Sequence, residues 1–193
     1  MEKEQFNYES YDAYIRRQRR VSKRGSDKTN QNKTLIEERA RVLRDLYPNA
    51  KNVLCIGTRH PAEVVSFKLA GFSAIGIDLW ESPPDVITCD MSKMYENPTL
   101  QQMAPFDIIY MAHSLEHCLD VDGLLKGIEW SGGKVLSIYI PIKNAPKNWD
   151  CTVFEFMHTD GDIKTIEELF VGWTLKENKT MRREKYFLLE KNI

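Results

Sequence analysis

The chain has 193 residues, 42% of them hydrophobic and 28% charged, with a formal net charge of −1. That length suits one domain burying roughly 70% of its unfolded surface, and the balanced charge supplies no global attraction to nucleic acid or membrane. No apolar run approaches the roughly 18 residues of a membrane span, and the charged opening from Met1 to Tyr14 lacks a signal-peptide core, so a cytoplasmic protein is expected. Cys55, Cys89, Cys118 and Cys151 are scattered without a Cys-x-x-Cys pair. They read as reduced thiols, with Cys55 and Cys89 inside strands.

Positions 1–33 are polar and basic, with six basic residues in the nine positions from Arg16 to Arg24. The run fits either a nucleic-acid or anionic-surface contact, or a solvated leading helix or arm. A helix is predicted over 34–46, where Ile36, Ala40, Leu43 and Tyr47 form one apolar stripe. Leu35, Val42 and Leu46 widen it, and Glu37, Glu38, Arg41, Arg44 and Asp45 supply the wet face. Pro48 stops the helix, because the residue before a proline resists helical geometry.

A regular alternation follows. Strand one is predicted over 52–56 and ends at the tight turn of Gly57, whose backbone N–H groups would approach a ligand. A helix over 61–70 begins at Pro61 and stops at Gly71, with Val64, Phe67, Val65 and Leu69 inward. Strand two, 73–77, leads into Asp78, about 20 residues past the turn, where such folds hydrogen-bond ribose hydroxyls. Strand three, 85–89, is followed by Asp90, and strand four, 106–111, is apolar enough for the middle of a covered parallel sheet. Asp107 reads as a structural hydrogen-bonding acid. A helix over 120–129, the Gly132-Gly133 turn and strand five, 134–140, complete this part.

The long connection 141–162, rich in Trp149, Phe154, Phe156 and His158, reads as an ordered substrate-recognition flap or as plain surface packing. A helix over 166–170 then precedes two strands, 173–180 and 185–190. Their four-residue link is too short for a parallel crossover, so they should be antiparallel.

These landmarks together resemble the class I S-adenosylmethionine-dependent methyltransferases: Val-Leu-Cys-Ile-Gly at 53–57, Gly-Ile-Asp-Leu at 76–79, Thr-Cys-Asp-Met at 88–91, the run 106–117, Gly-Gly-Lys-Val-Leu at 132–136, and the final hairpin. The resemblance covers 34–193, behind a basic arm of 1–33, and implies an α/β fold. Its sheet would be a Rossmann-like, doubly wound one of seven strands, mostly parallel with a C-terminal antiparallel hairpin. It also implies S-adenosylmethionine as cofactor. Gly57, Thr58 and Arg59 would border its methionine part, Asp78 its ribose and Leu79 its adenine. Asp90 and Met91 would meet the adenine edge, and Ala112 and His113 the transferring methyl. The first loop departs from the family's Gly-x-Gly-x-Gly: Cys55 replaces the usual acid, and Thr58-Arg59-His60-Pro61 follows Gly57. Arg59 and Glu63 fall at i, i+4 and can pair at the helix start.

His113-Ser-Leu-Glu116-His117 satisfies the H-x-x-E-H pattern of zinc peptidases, but it follows a strand where a loop is expected, so no metal is assigned. His113 and His117 are instead the candidate catalytic bases, taking a proton from a small-molecule acceptor. The acid after strand two also suits NAD, which keeps an oxidoreductase open. The altered first loop motivates a third reading, a non-catalytic methyltransferase-like module that binds a partner or nucleic acid through the basic arm.

Overall fold

The computed structural model describes residues 10–26, 33–58, 61–80, 85–141, 166–181 and 184–192. The predicted flap at 141–162, Arg59 and Cys151 therefore fall wholly or almost wholly outside the described residues. Two helices open the chain, α1 (Tyr11–Ser26) and α2 (Lys33–Leu46), followed by β1 (Asn52–Ile56), α3 (Ala62–Leu69), β2 (Ser73–Asp78) and β3 (Val86–Thr88). A 3-10 segment, Met91–Glu96, leads to α4 (Pro98–Met103) and β4 (Ile108–Ala112). A 3-10 turn, Leu115–His117, precedes α5 (Val121–Trp130) and β5 (Val135–Pro141). The single helical turn Ile166–Leu169 precedes β6 (Trp173–Met181) and β7 (Glu184–Lys191).

The seven strands form one sheet in the order β3-β2-β1-β4-β5-β7-β6. β1 pairs in parallel with β2 and β4, β2 with β3, and β4 with β5. β7 runs antiparallel to both β5 and β6. The central strands are apolar on both faces because both are covered. Val53, Cys55, Ile108 and Tyr110 pack with Ala40 and Leu43 of α2 and Val64 and Phe67 of α3. Leu54, Ile56, Ile109 and Met111 pack on the other face with Leu100, Leu124 and Ile128. Asp107 accepts from the Lys51 and Asn52 N–H groups at 2.7 and 3.0 Å, so it fixes the entry to β1.

Several expectations need correction. In α2 the inward face carries Arg39, whereas Val42 and Leu46 are exposed. Arg44, expected on the wet face, lies over the Phe72 ring at 3.6 Å and donates to the carbonyls of Ala50, Ala70 and Gly71, stapling α2 to the end of α3. In α3 only Val64 and Phe67 of the four apolar residues point inward; Val65 and Leu69 are exposed, Leu69 by 71%. An eight-residue helix against one sheet face has room for a single buried stripe. The 3-10 segment and α4 were not predicted, although Asn97 caps α4 with its side chain and Pro98 stands at its first turn. β6 and β7 extend to Met181 and from Glu184, leaving two linking residues rather than four. Cys89 follows β3 and is half-buried; Cys55 and Cys118 are buried, and all three are free thiols.

Candidate active site

The carboxyl ends of β1, β2 and β4 meet around one cavity lined by Gly57, Ile77, Asp78, Leu79, Cys89 and Met91, and by His113, Ser114 and His117. Helix α1 closes it with Tyr14 and Gln18. Of the residues singled out from sequence, Gly57, Asp78, Leu79, Met91, His113 and His117 are thus brought together. Thr58, Asp90 and Ala112 adjoin this wall without lining it.

Gly57 has φ +75, and a Cβ there would stand 2.3 Å from the Ser114 Cβ, so only glycine lets β4's loop lie on the β1 turn. The expectation that this turn offers N–H groups to a ligand needs revision. The Gly57 and Thr58 amides both donate to the Ile77 carbonyl, at 2.8 and 3.0 Å. The Thr58 hydroxyl lies 3.1 Å from both the Cys55 carbonyl and a Glu63 carboxyl oxygen. Burial pushes that Glu63 carboxyl up to about 7, against the lowering effects of Thr58, Arg39 and His113.

Asp78 ends β2, largely buried, and one oxygen accepts from the Trp80 N–H at 2.9 Å. Asp90 caps the 3-10 segment, its Oδ1 accepting from both the N–H and the hydroxyl of Ser92 at 2.8 Å. Its other oxygen accepts from Tyr11 of α1. Burial, then this hydrogen bond, raise the Tyr11 phenol well above its ordinary value.

His113 sits directly after β4 with φ +55. Its Nε2 meets Glu184 Oε1 at 2.5 Å, and its Nδ1 faces the buried Glu116 at 3.7 Å. Since a carboxylate only accepts, Nε2 is the protonated nitrogen in that contact. Glu184 in turn is bonded to Arg39, whose guanidinium also reaches the Tyr110 hydroxyl at 3.3 Å and lies 3.6 Å from the Tyr139 ring centre. The residues of the H-x-x-E-H pattern span a loop and one 3-10 turn, so the two histidines do not share a helix face. Among the described residues no cluster of three or more His, Cys, Asp and Glu is arranged to hold a metal.

Sequence reasoning missed α1 as part of the site. Tyr14 is buried and donates to the His117 carbonyl at 2.7 Å, Gln18 is 7% exposed, and Arg19 donates to the Leu79 carbonyl at 3.0 Å. Lys93 Nζ lies 4.6 Å from the Tyr11 ring centre. The signal was present as Tyr11, Tyr14 and Gln18 at spacings of three and four, hidden among arginines. Arg16 and Arg20 of the basic run are exposed. With α1 docked, the cavity leaves about 30 Å³ for water-sized occupants, so a nucleoside-sized ligand requires α1 side chains to give way. No helix among the described residues is long and apolar enough to cross a membrane.

No family model and no curated protein matches the sequence. Solved structures do resemble it. The 1,6-didemethyltoxoflavin-N1-methyltransferase of Burkholderia thailandensis, crystallised with 1,6-didemethyltoxoflavin and S-adenosylhomocysteine, is similar at a TM-score of 0.69 and 14% identity. That match covers 100% of this chain and 94% of the other. The PH0226 protein from Pyrococcus horikoshii OT3 is similar at 0.54 and 13% identity, over 78% of this chain and 86% of its own. The bifunctional kinase-methyltransferase WbdD is similar at 0.51 and 16% identity, over 84% of this chain and 39% of its own. The chain has the α/β fold of the class I S-adenosylmethionine-dependent methyltransferases, a seven-stranded and mostly parallel sheet with antiparallel C-terminal strands.

Proposed function

We propose that this chain is an S-adenosylmethionine-dependent methyltransferase acting on a small-molecule acceptor. One observation carries the reading: on a class I methyltransferase sheet, a turn without a side chain and acids at the tips of β2 and β3 surround one end of the parallel strands. The residues fit that cofactor, with carboxylates for its hydroxyl and amino donors and apolar Leu79, Ile77 and Met91 for a base. The Burkholderia enzyme, crystallised with a small heterocycle, supports an acceptor of that class.

When bound, S-adenosylmethionine supplies a methyl already activated on a sulfonium, so alignment provides much of the remaining rate. Asp78 would accept from the ribose hydroxyls and Leu79 would pack on adenine. Asp90 would accept from the adenine amino group, and the Met91 N–H would meet a ring nitrogen. Gly57 with the Thr58 and Arg59 backbone would border the methionine end, and Ala112 and His113 the methyl. The acceptor's proton would go to His117 or to the Nδ1 of His113, whose Nε2–H is held by Glu184.

Calorimetry on the full chain tests this. S-adenosylmethionine and S-adenosylhomocysteine should bind and NAD should not. Asp78→Ala should weaken S-adenosylhomocysteine by about 10- to 100-fold, the loss expected for hydrogen bonds to a charged group. No binding of either sulfur ligand refutes the reading, and binding of NAD instead favours an oxidoreductase.

A further inference from the structure

Ser114 holds a position whose chemistry the site has not used. It stands at the cap of the 3-10 turn Leu115–His117, where a serine ordinarily spends its hydroxyl on a backbone N–H. Here it makes no capping bond, and its Oγ is buried without a hydrogen-bond partner in a residue only 3% exposed. A buried hydroxyl left unsatisfied is a cost that a fold ordinarily avoids, so its retention at a cavity wall points to a ligand atom.

The ligand end is set by the sheet. Strand order β3-β2-β1-β4 places the loops after β3 and β4 three strand spacings apart, about 14 Å at ~4.8 Å each. Asp78 ends β2 and Asp90 follows β3, whereas Ser114 follows β4 and lies against Gly57. A cofactor whose adenosine is held at the two acids would therefore extend its amino-acid end toward Ser114. The β1 turn offers little there: its Gly57 and Thr58 amides are bonded to Ile77, and the Thr58 hydroxyl to Cys55 and Glu63.

We propose that the Ser114 hydroxyl anchors the amino-acid end of the cofactor, donating to its α-carboxylate in place of the donors the altered glycine turn has committed elsewhere. The assignment rests on the methyltransferase reading. Gly57 belongs to the same device, because its missing side chain is what lets Ser114 sit over the turn.

The test uses calorimetry on the full-length chain and its Ser114→Ala variant with two probes, S-adenosylhomocysteine and 5′-methylthioadenosine, which lacks the amino-acid part. The variant should bind S-adenosylhomocysteine about tenfold or more weakly, as for a hydrogen bond to a charged group, and methylthioadenosine unchanged. Its thermal unfolding midpoint should not fall, since the hydroxyl has no partner in the free protein. Equal affinity for S-adenosylhomocysteine in both proteins overturns the assignment, as does an equal loss for both probes or a lowered midpoint. If the parent chain binds neither probe, the methyltransferase reading itself fails, an outcome distinct from those.

Discussion

Glu184→Ala should destabilise the fold by about 3 kcal/mol, the lower end of the range for removing one partner of a buried ion pair. Arg39 reaches Glu184 from the inner face of α2 across the tyrosines of β4 and β5, and it is itself buried. Burial alone would raise the Glu184 carboxyl, but the His113 hydrogen bond and the Arg39 charge outweigh it and hold the group below the ordinary carboxylate range. With the carboxylate gone, the buried guanidinium loses its ion-pair partner and keeps the Tyr110 hydroxyl, the Tyr139 ring and the influence of the Glu63 carboxyl. The Arg39→Met/Glu184→Leu double variant should recover most of the loss, since two apolar groups leave no buried charge. Urea unfolding of the parent, Arg39→Met, Glu184→Leu and the double variant measures the coupling. Because Glu184 is depressed on folding, its contribution is present above the unfolded carboxylate value of 4.5 and fades as pH falls below it.

Glu63→Gln should have the opposite sign. The Glu63 carboxyl stands near 7 in the folded chain against an ordinary 4.5. Between those values the folded state holds a proton that the unfolded chain has released, so parent stability falls as pH rises through this window. The full difference, about 3 kcal/mol, is reached above pH 7. Burial is the main cause, and the Thr58 hydroxyl, 3.1 Å from both the Cys55 carbonyl and Glu63, works against it by donating to the ionised carboxylate. Arg39 and His113 favour the ionised form and Asp78 opposes it, while Tyr110 and Cys55 are nearby groups whose own ionisation Glu63 disfavours. Unfolding at pH 5 and pH 8 should show the parent losing stability between them and the glutamine variant losing little. An unchanged pH slope in the variant would refute the assignment.

Strand periodicity, the Gly57 turn and the acids that end β2 and follow β3 were legible because each is a local signal of a few residues. The two-residue hairpin link was legible in kind, since no short connection serves parallel strands. Arg39 was not, because a polar residue in an apolar stripe reads as solvated until its partner is known, and Glu184 lies 145 residues away. The commitment of the Gly57 and Thr58 amides likewise depends on Ile77 of the neighbouring strand. Ser114 carried a misleading local signal: its type suits a cap, and its hydroxyl makes no capping bond.

The contact between Tyr11 and Asp90 has a cost for any ligand that uses the same oxygen. The phenol is a tethered competitor, and its effective concentration does not fall on dilution. Measured affinity then equals the intrinsic affinity scaled by the fraction of molecules in which Tyr11 has let go. For the proposed cofactor, Arg19, Tyr14 and Tyr11 letting go together would therefore scale the affinity independently of how well the walls recognise it.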